Sequence, residues 1–127
     1  MIYLDTHAVA WLYAGKVKLL PENIRLELAR EELLISPMVL LELQYLYEIG
    51  RVAEKGSVVV QDLSKRIGLS VCTLPFETVI ERAVEQTWTR DPFDRIIVAQ
   101  ASIHSTRLIT KDTIIHENYT HALWKKP

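Results

Sequence analysis

The sequence predicts a three-layer α/β/α sandwich around a central, mainly parallel sheet of five strands. Short apolar segments alternate along the chain with longer segments of helical spacing, which is typical of strands covered by helices on both faces. The 127 residues are 49% hydrophobic and 24% charged, close to the averages of globular proteins. We therefore expect one folded domain over residues 1–127.

Each element follows from a local signal. Residues 1–4 are an apolar strand, and apolar spacing predicts a helix over residues 6–14, before Gly15. Pro21 opens a helix to about residue 31, and a buried strand follows at residues 33–35. The same signals predict the later elements: helices at 37–49 (after the N-cap Ser36), 56–68, 76–88 and 92–103, and strands at 69–74, 107–110 and 122–124.

Composition limits the functions that the chain can have. The formal net charge of −1 gives no overall attraction to nucleic acid, so such a role depends on local charge. The single cysteine, Cys72, cannot form an intrachain disulfide, and the start at Met1 lacks the pattern of a signal peptide. No run of about 18 apolar residues predicts a membrane span. We expect a cytoplasmic protein.

Four acids are the candidates for chemistry: Asp5, Glu42, Asp94 and Asp112. Asp5 directly follows the first predicted strand, and Asp112 comes just after the strand at residues 107–110. Both are therefore expected at the carboxyl edge of the sheet, where loops meet and binding sites form.

Each acid also has a purely structural interpretation. Asp5 can be the N-cap of the next helix. Glu42 has apolar neighbours such as Val39 on its helix face, so its charge is costly unless it is paired, protonated or bound to a cation. An arginine partner or access to water would also satisfy it. Asp94 is the third residue of a helix that Asp91 caps, where the helix dipole favours an acid.

Convergence of these four acids favours a metal site. Mutual repulsion would raise their pKa values and oppose folding unless a multivalent cation compensates. Carboxylate oxygens suit hard cations, and no cysteine and histidine cluster accompanies them, so Mg²⁺ or Mn²⁺ is favoured over zinc.

Four segments match a known family in order and spacing. They are Leu4-Asp5-Thr6-His7, Ser36-Pro37 with an acid six residues after the serine, Asp91-Pro-Phe-Asp-Arg-Ile-Ile-Val-Ala-Gln-Ala, and Leu108-Ile-Thr-Lys-Asp112. Over essentially the whole chain, the sequence resembles PIN-domain ribonucleases, specifically the VapC-like toxins of bacterial type II toxin–antitoxin modules. The Asp-Pro-Phe-Asp and Thr-Lys-Asp segments are the most specific.

The resemblance implies a PIN-like fold and a set of site residues. The family's four acids, which bind metal and are catalytic, fall in order on Asp5, Glu42, Asp94 and Asp112. Thr6 and Thr110 match hydroxyl positions that help to orient ligands or water. Asp91 stands three residues before the position that the family uses, so we interpret it as a helix cap, with a supporting role in the site left open.

The resemblance also implies an activity and partners. One or two Mg²⁺ or Mn²⁺ ions would activate water for in-line attack on an RNA phosphodiester, leaving 5′-phosphate and 3′-hydroxyl ends. The implied partners are the RNA substrate, a cognate antitoxin that inserts a segment against the active site, and a second copy of the chain. Exposed apolar residues such as Leu41 and Tyr45 are candidates for an interface.

Two alternative functions would also place acids at the edge of a sheet. A PIN-like module that binds RNA or protein without catalysis stays open, although all four acid positions are filled. A response-regulator receiver domain is disfavoured, because the predicted strands at residues 33–35 and 69–74 end without the aspartate that accepts phosphate in that class.

Basic and aromatic residues near the predicted carboxyl edge have two interpretations each. The basic ones can hold phosphates or form a solvated face: Lys16, Lys18, Arg90, Arg95 and Lys111. The aromatic ones can stack on bases or pack in the core or a dimer: Trp11, Tyr45, Tyr47, Trp88 and Trp124. For His7 an ordinary polar or capping role is favoured over a role in the site.

Overall fold

A sheet of five parallel strands forms the centre of the computed structural model, which describes residues 1–125. The strands are β1 (Ile2–Leu4), β2 (Leu33–Ile35), β3 (Ser70–Val71), β4 (Leu108–Ile109) and β5 (Ala122–Leu123). Their order across the sheet is β3-β2-β1-β4-β5, and every neighbouring pair is parallel. Residues 126 and 127 of the predicted domain lie outside the described residues.

Helices cover both faces of this sheet. They are α1 (Thr6–Tyr13), α2 (Glu22–Arg30), α3 (Pro37–Glu48), α4 (Gly56–Ile67), α5 (Phe76–Val84), α6 (Pro92–Ser102) and α7 (Thr113–Asn118), with a short 3-10 helix at Val17–Leu19. Helices α1, α3 and α4 pack against one another, and α5 packs against α6. The predicted three-layer α/β/α sandwich with a parallel five-stranded sheet is therefore confirmed.

The three central strands, β1, β2 and β4, are buried because their residues are apolar on both faces. Ile2, Leu4, Ile35, Leu108 and Ile109 are all 0% exposed. A parallel strand that is covered on both sides cannot alternate polar and apolar residues, which explains the continuous apolar runs in the sequence.

The chain reverses its direction of travel across the sheet between β1 and β4. From β1 it moves outward through β2 to β3, and it then returns to the other side of β1 to form β4 and β5. The register Tyr3↔Leu108 and Leu4↔Ile109 places the ends of β1 and β4 side by side. Such a reversal leaves a crevice at the carboxyl ends of the two strands, where ligands bind in open α/β sheets.

Two predicted elements are shorter in the structure. Helix α5 ends at Val84 and not near residue 88, because the Arg95 guanidinium of α6 donates to the carbonyl oxygens of Ala83 (3.2 Å) and Val84 (3.1 Å). Those carbonyls are at the end of a helix, where they need external donors. Strand β3 covers only Ser70–Val71, at the sheet edge, where it pairs with β2 alone.

Two elements were missed by the sequence reasoning. The 3-10 helix at Val17–Leu19 and helix α7 are each too short to display an apolar period. Helix α7 nevertheless begins with a recognisable signal, since Asp112 Oδ1 accepts hydrogen bonds from the N–H groups of Ile114 (2.8 Å) and Ile115 (3.1 Å). Within residues 1–125, no helix is long and apolar enough to cross a membrane.

Candidate active site

A cavity of about 520 Å³ opens at the crevice between β1 and β4. Five acids from four different parts of the chain line it: Asp5, Glu42, Asp91, Asp94 and Asp112. All four acids that the sequence singled out therefore border one space, together with Asp91.

Asp5 and Asp112 extend from neighbouring strand ends and are linked through Thr110. Both cap helices, since Asp5 Oδ1 accepts from the Ala8 N–H (3.0 Å) and Asp112 caps α7 in the same way. Each cap uses only Oδ1, so capping does not require the second oxygen of either carboxylate. The buried Thr110 hydroxyl accepts from the Asp112 N–H (3.1 Å), and the Thr110 side chain also forms a hydrogen bond with Asp5.

Glu42 reaches the cavity from the middle of α3. Its neighbours Val39 and Leu43 are 0% exposed, as expected for an apolar helix face. The buried Thr6 hydroxyl donates to Glu42 Oε1 at 2.5 Å, and within residues 1–125 no arginine pairs with this glutamate. A hydroxyl orients the carboxylate without neutralising it, so the charge of Glu42 has no cationic partner there.

Asp91 and Asp94 lie together in the first turn of α6. Asp91 is the N-cap, as predicted, because its Oδ1 accepts from the Phe93 N–H at 2.8 Å. Asp94 is a half-buried residue in the same turn and does not cap the helix. Asp91 is therefore the helix cap and Asp94 is not, although both side chains line the cavity.

Burial and mutual repulsion shift the pKa values of three carboxyls upward. Burial raises the pKa of Asp94 to about 7, and repulsion from Asp91, Asp112, Glu42 and Asp5 adds to this effect. Burial also raises the pKa of Asp5 and of Glu42, while hydrogen bonds with Thr110 and Thr6, respectively, oppose these increases. The ionised cluster is costly to maintain without a compensating positive charge.

The oxygen atoms of these side chains are suitable ligands for a hard divalent cation, although the side chains of the described residues do not form a complete coordination site. The cluster offers carboxylate oxygens with the hydroxyls of Thr6 and Thr110 beside them, and Mg²⁺ and Mn²⁺ prefer such oxygen ligands. Among residues 1–125, no three His, Cys, Asp or Glu side chains lie close enough to hold one ion together. Binding a cation through several of these acids therefore requires side-chain movement.

A model of a known protein family identifies the family of this chain. A model of the PIN domain matches residues 2–120. The chain belongs to the PIN domain family. No curated protein matches the sequence.

Two solved structures show that this PIN domain shares its fold with known proteins. A "Toxin-antitoxin complex from Klebsiella pneumoniae" contains a chain with a TM-score of 0.69 and 20% identity, and the match covers 97% of this chain and 96% of that one. A chain in the structure of VapBC2 from Rickettsia felis, bound to a promoter DNA fragment, has a TM-score of 0.68 and 20% identity. That match covers 98% of this chain and 100% of the other.

Of the basic residues that the sequence placed near the site, two arginines bind backbone carbonyl oxygens and one lysine lines the acidic cavity. Arg95 is used to cap α5, and Arg90 donates to the carbonyl oxygen of Thr87 (3.0 Å), so neither lines the acidic cavity. Lys111 does line it, as does His7. The position of His7 directly after Asp5 was the only sequence signal for its place in the cavity, and electrostatic attraction to its imidazole opposes the rise in the pKa of Asp5 and Glu42.

Proposed function

We propose that this PIN domain is a metal-dependent endoribonuclease that hydrolyses RNA phosphodiester bonds. The observation that carries the proposal is the convergence of Asp5, Glu42, Asp94 and Asp112 on one cavity at the β1–β4 crevice. Burial and repulsion raise the pKa of three of these acids, which is a typical cost of a binding site for cations.

The four acids would hold one or two Mg²⁺ or Mn²⁺ ions. When bound, such an ion supplies positive charge for the anionic RNA backbone, activates water and stabilises the leaving oxygen. Thr6 orients Glu42 through its hydroxyl, and the Thr110 side chain forms hydrogen bonds with Asp5 and with the backbone N–H of Asp112. Asp94, with a pKa of about 7, is partly protonated at neutral pH and must lose that proton to act as a ligand.

The biological setting that we propose is a type II toxin–antitoxin module, in which this chain is a VapC-like toxin of the cytoplasm. The fold relatives are components of a toxin–antitoxin complex and of VapBC2, and they match this chain over nearly its full length. A cognate antitoxin would neutralise the nuclease by occupying its active site.

A homodimer is the second part of this proposal. An apolar cavity of about 260 Å³ lies between the start of α3 and the helices α5 and α6, and the exposed Leu41 (56%) and Phe76 (74%) line it. Gln100 also lines it, and within the described chain its buried Nε2 has no hydrogen-bond partner. A second copy would cover the apolar side chains and accept a hydrogen bond from Gln100.

The alternative is a PIN-like module that binds RNA or protein without catalysis. One observation favours it, because in the part of the chain that the structure describes no three potential ligands are grouped around one point. The two functions differ in a single measurable property, which is cleavage that depends on a divalent cation.

Cleavage of structured RNAs tests the nuclease proposal. We expect cleavage with Mg²⁺ or Mn²⁺, none with EDTA, and products with 5′-phosphate ends. Asp5→Asn should lower the rate at least about 100-fold, since it removes a cavity carboxylate. Asp62→Asn is the matched control, because Asp62 lies in α4 and forms an ion pair with Arg66. Cleavage that survives both EDTA and Asp5→Asn would overturn the proposal.

A further inference from the structure

Thr110 links two acids of the cavity, and each of its hydrogen-bonding groups has a partner. Its hydroxyl accepts from the Asp112 N–H (3.1 Å), and its side chain also forms a hydrogen bond with Asp5. Its N–H donates to the Leu123 carbonyl oxygen of β5 (3.2 Å). Its carbonyl oxygen accepts from His116 Nε2 of α7 at 2.7 Å. Four partners therefore determine where this threonine lies.

His116 takes the place of a further strand residue at the end of β4. In a strand, the N–H and C=O of one residue point to the same side, so the Thr110 carbonyl faces β5, as its paired N–H does. Strand β5 ends at Leu123, before a later residue of that strand can pair with this carbonyl. Thr110 is 0% exposed, and a buried carbonyl oxygen without a donor is costly. The His116 imidazole is the donor, and because a carbonyl oxygen only accepts, its Nε2 carries a proton.

The imidazole reaches Thr110 from helix α7, which begins after Asp112. The Asp112 carbonyl oxygen accepts from the His116 N–H at 3.1 Å, so the two residues are one helical turn apart. His116 is exposed and is not among the residues that line the acidic cavity. A helix of six residues is not stable by itself, so the position of α7 depends on its contacts with the rest of the protein.

We infer that His116 is a positioning residue of the acidic cavity. Its hydrogen bond with the Thr110 carbonyl fixes the end of β4 relative to α7, and the Thr110 side chain then keeps Asp5 and Asp112 aligned for a shared cation. His116 acts through Thr110 and is not itself a ligand. This inference rests on the proposed function insofar as that function makes the two acids ligands of a divalent cation, and it adds a residue that lies outside the sequence motifs.

Binding of Mn²⁺ alone tests this role without RNA cleavage. The electron paramagnetic resonance signal of free Mn²⁺ gives the affinity of the wild type, of His116→Leu, which lacks the donor, and of His116→Gln, which retains an N–H donor. Loss of a residue that supports a metal ligand lowers affinity at least about tenfold. We expect that loss in His116→Leu and recovery of most of the affinity in His116→Gln.

His104→Leu is the matched control for these variants. His104 is an exposed histidine after α6 that does not line the acidic cavity. Its replacement should leave the Mn²⁺ affinity unchanged. Thermal melting of each variant verifies that the titrations compare folded proteins. A purely structural role of His116 would lower the melting temperature without changing the Mn²⁺ affinity of the folded protein.

Amide hydrogen exchange in EDTA tests the geometry without a cation. The Asp112 N–H donates to the Thr110 hydroxyl, so it reports whether this threonine is held in place. It should exchange about fivefold faster in His116→Leu, the factor expected for the loss of one net hydrogen bond. In His116→Gln and His104→Leu the exchange rate should stay near that of the wild type.

Three results would overturn the inference: equal Mn²⁺ affinity in His116→Leu and the wild type, an equal loss of affinity in His116→Leu and His116→Gln, or an unchanged exchange rate at Asp112 in His116→Leu. If the affinities and rates differ as expected but no RNA is cleaved, the positioning role stands and the nuclease proposal fails. If RNA is cleaved with Mg²⁺ but the affinities are equal, the nuclease proposal stands and the positioning role is wrong.

Discussion

The ionisation of Asp94 is strongly affected by its surroundings. Burial and four neighbouring carboxylates raise its pKa from 3.8 to about 7. Between these two pH values the folded protein holds a proton that the unfolded chain has lost, so the free energy of unfolding falls as pH rises through this window. Above pH 7 Asp94 is ionised in the folded state, which is then destabilised by the burial of this charge and by repulsion from the neighbouring carboxylates.

Asp94→Asn should therefore stabilise the protein at pH 8 in the absence of divalent cations. We expect a gain of about 1 kcal/mol or more, because one pKa unit corresponds to about 1.4 kcal/mol and the partial exposure of Asp94 to solvent reduces the effect of its shift. The gain should become small near pH 4, where Asp94 stays protonated in the folded protein and is only about half ionised in the unfolded chain. Urea denaturation at pH 4, 6 and 8 in EDTA measures this difference.

A matched variant separates the effect of position from that of charge. Glu81→Gln removes one acidic charge from an exposed site on α5 and should leave the stability at pH 8 nearly unchanged. Mg²⁺ should stabilise the wild type more than Asp94→Asn if the cavity binds the cation. A variant that is less stable than the wild type at pH 8 would show that Asp94 is not repelled by its neighbours.

The acids of the site could be predicted from the sequence, but their hydrogen-bond partners could not. Glu42 was recognisable because its helix neighbours are apolar, and Asp5 and Asp112 because they follow strands. The Thr6 hydroxyl as the partner of Glu42 was not derivable, since the two residues are 36 positions apart and meet only through the packing of α1 on α3. That Arg95 caps the end of α5 could not be predicted either, because this contact also depends on the packing of one helix on another.

At the scale of elements, the contact between α3 and α4 depends on the absence of one side chain. A Cβ on Gly56 would lie 2.7 Å from the Leu40 carbonyl oxygen and 3.0 Å from the Gln44 N atom, both of them backbone atoms. The Gly56 N–H also donates to Gln44 Oε1 at 3.1 Å. The start of α4 therefore lies directly against the backbone of α3.

Gly56→Ala should destabilise the protein by about 1–3 kcal/mol, because the added methyl group overpacks a backbone contact. The measurement is chemical denaturation of the variant beside Ser57→Ala, an exposed substitution one residue later in the same helix. The control should change stability by less than about 0.5 kcal/mol. Equal stability of Gly56→Ala and the wild type would mean that α4 can shift away from α3 without cost.

Long elements that begin with a capping residue were predicted more accurately than short elements or elements without a local stop signal. Helices α3 and α6 were placed closely because each begins with a capping side chain followed by proline. The end of α5 was missed because its stop is a guanidinium from another helix and not a local signal. Helix α7 has six residues, too few for a period to be visible.

At the scale of the molecule, the exposed apolar surface of Leu41 and Phe76 is where we expect the second copy to bind. Phe76→Ser should shift a dimer towards monomer in sedimentation or light scattering, because it removes the most exposed large apolar side chain. Leu26→Ser is the matched control, since Leu26 is 58% exposed on α2 and does not line this cavity. An unchanged dimer in Phe76→Ser would place the interface elsewhere.

The class of fold was predictable because alternating apolar strands and helices leave few other architectures. The order of the strands was not, because local patterns do not specify which strands are neighbours. The placement of β4 beside β1 is the feature that matters most, since it converts two separate strand ends into one crevice.

The pairing of β1 with β4 also determines when the cavity can form during synthesis. It joins Tyr3 to Leu108, so Asp5 meets Asp112 only after the chain has been synthesised through Asp112 and that segment has left the ribosome. A nascent chain that still lacks Asp112 has an incomplete set of acids, and so does any product of premature termination before that residue. If the chain is a toxin, the ribosome that translates it is therefore protected from its own product until Asp112 has been synthesised.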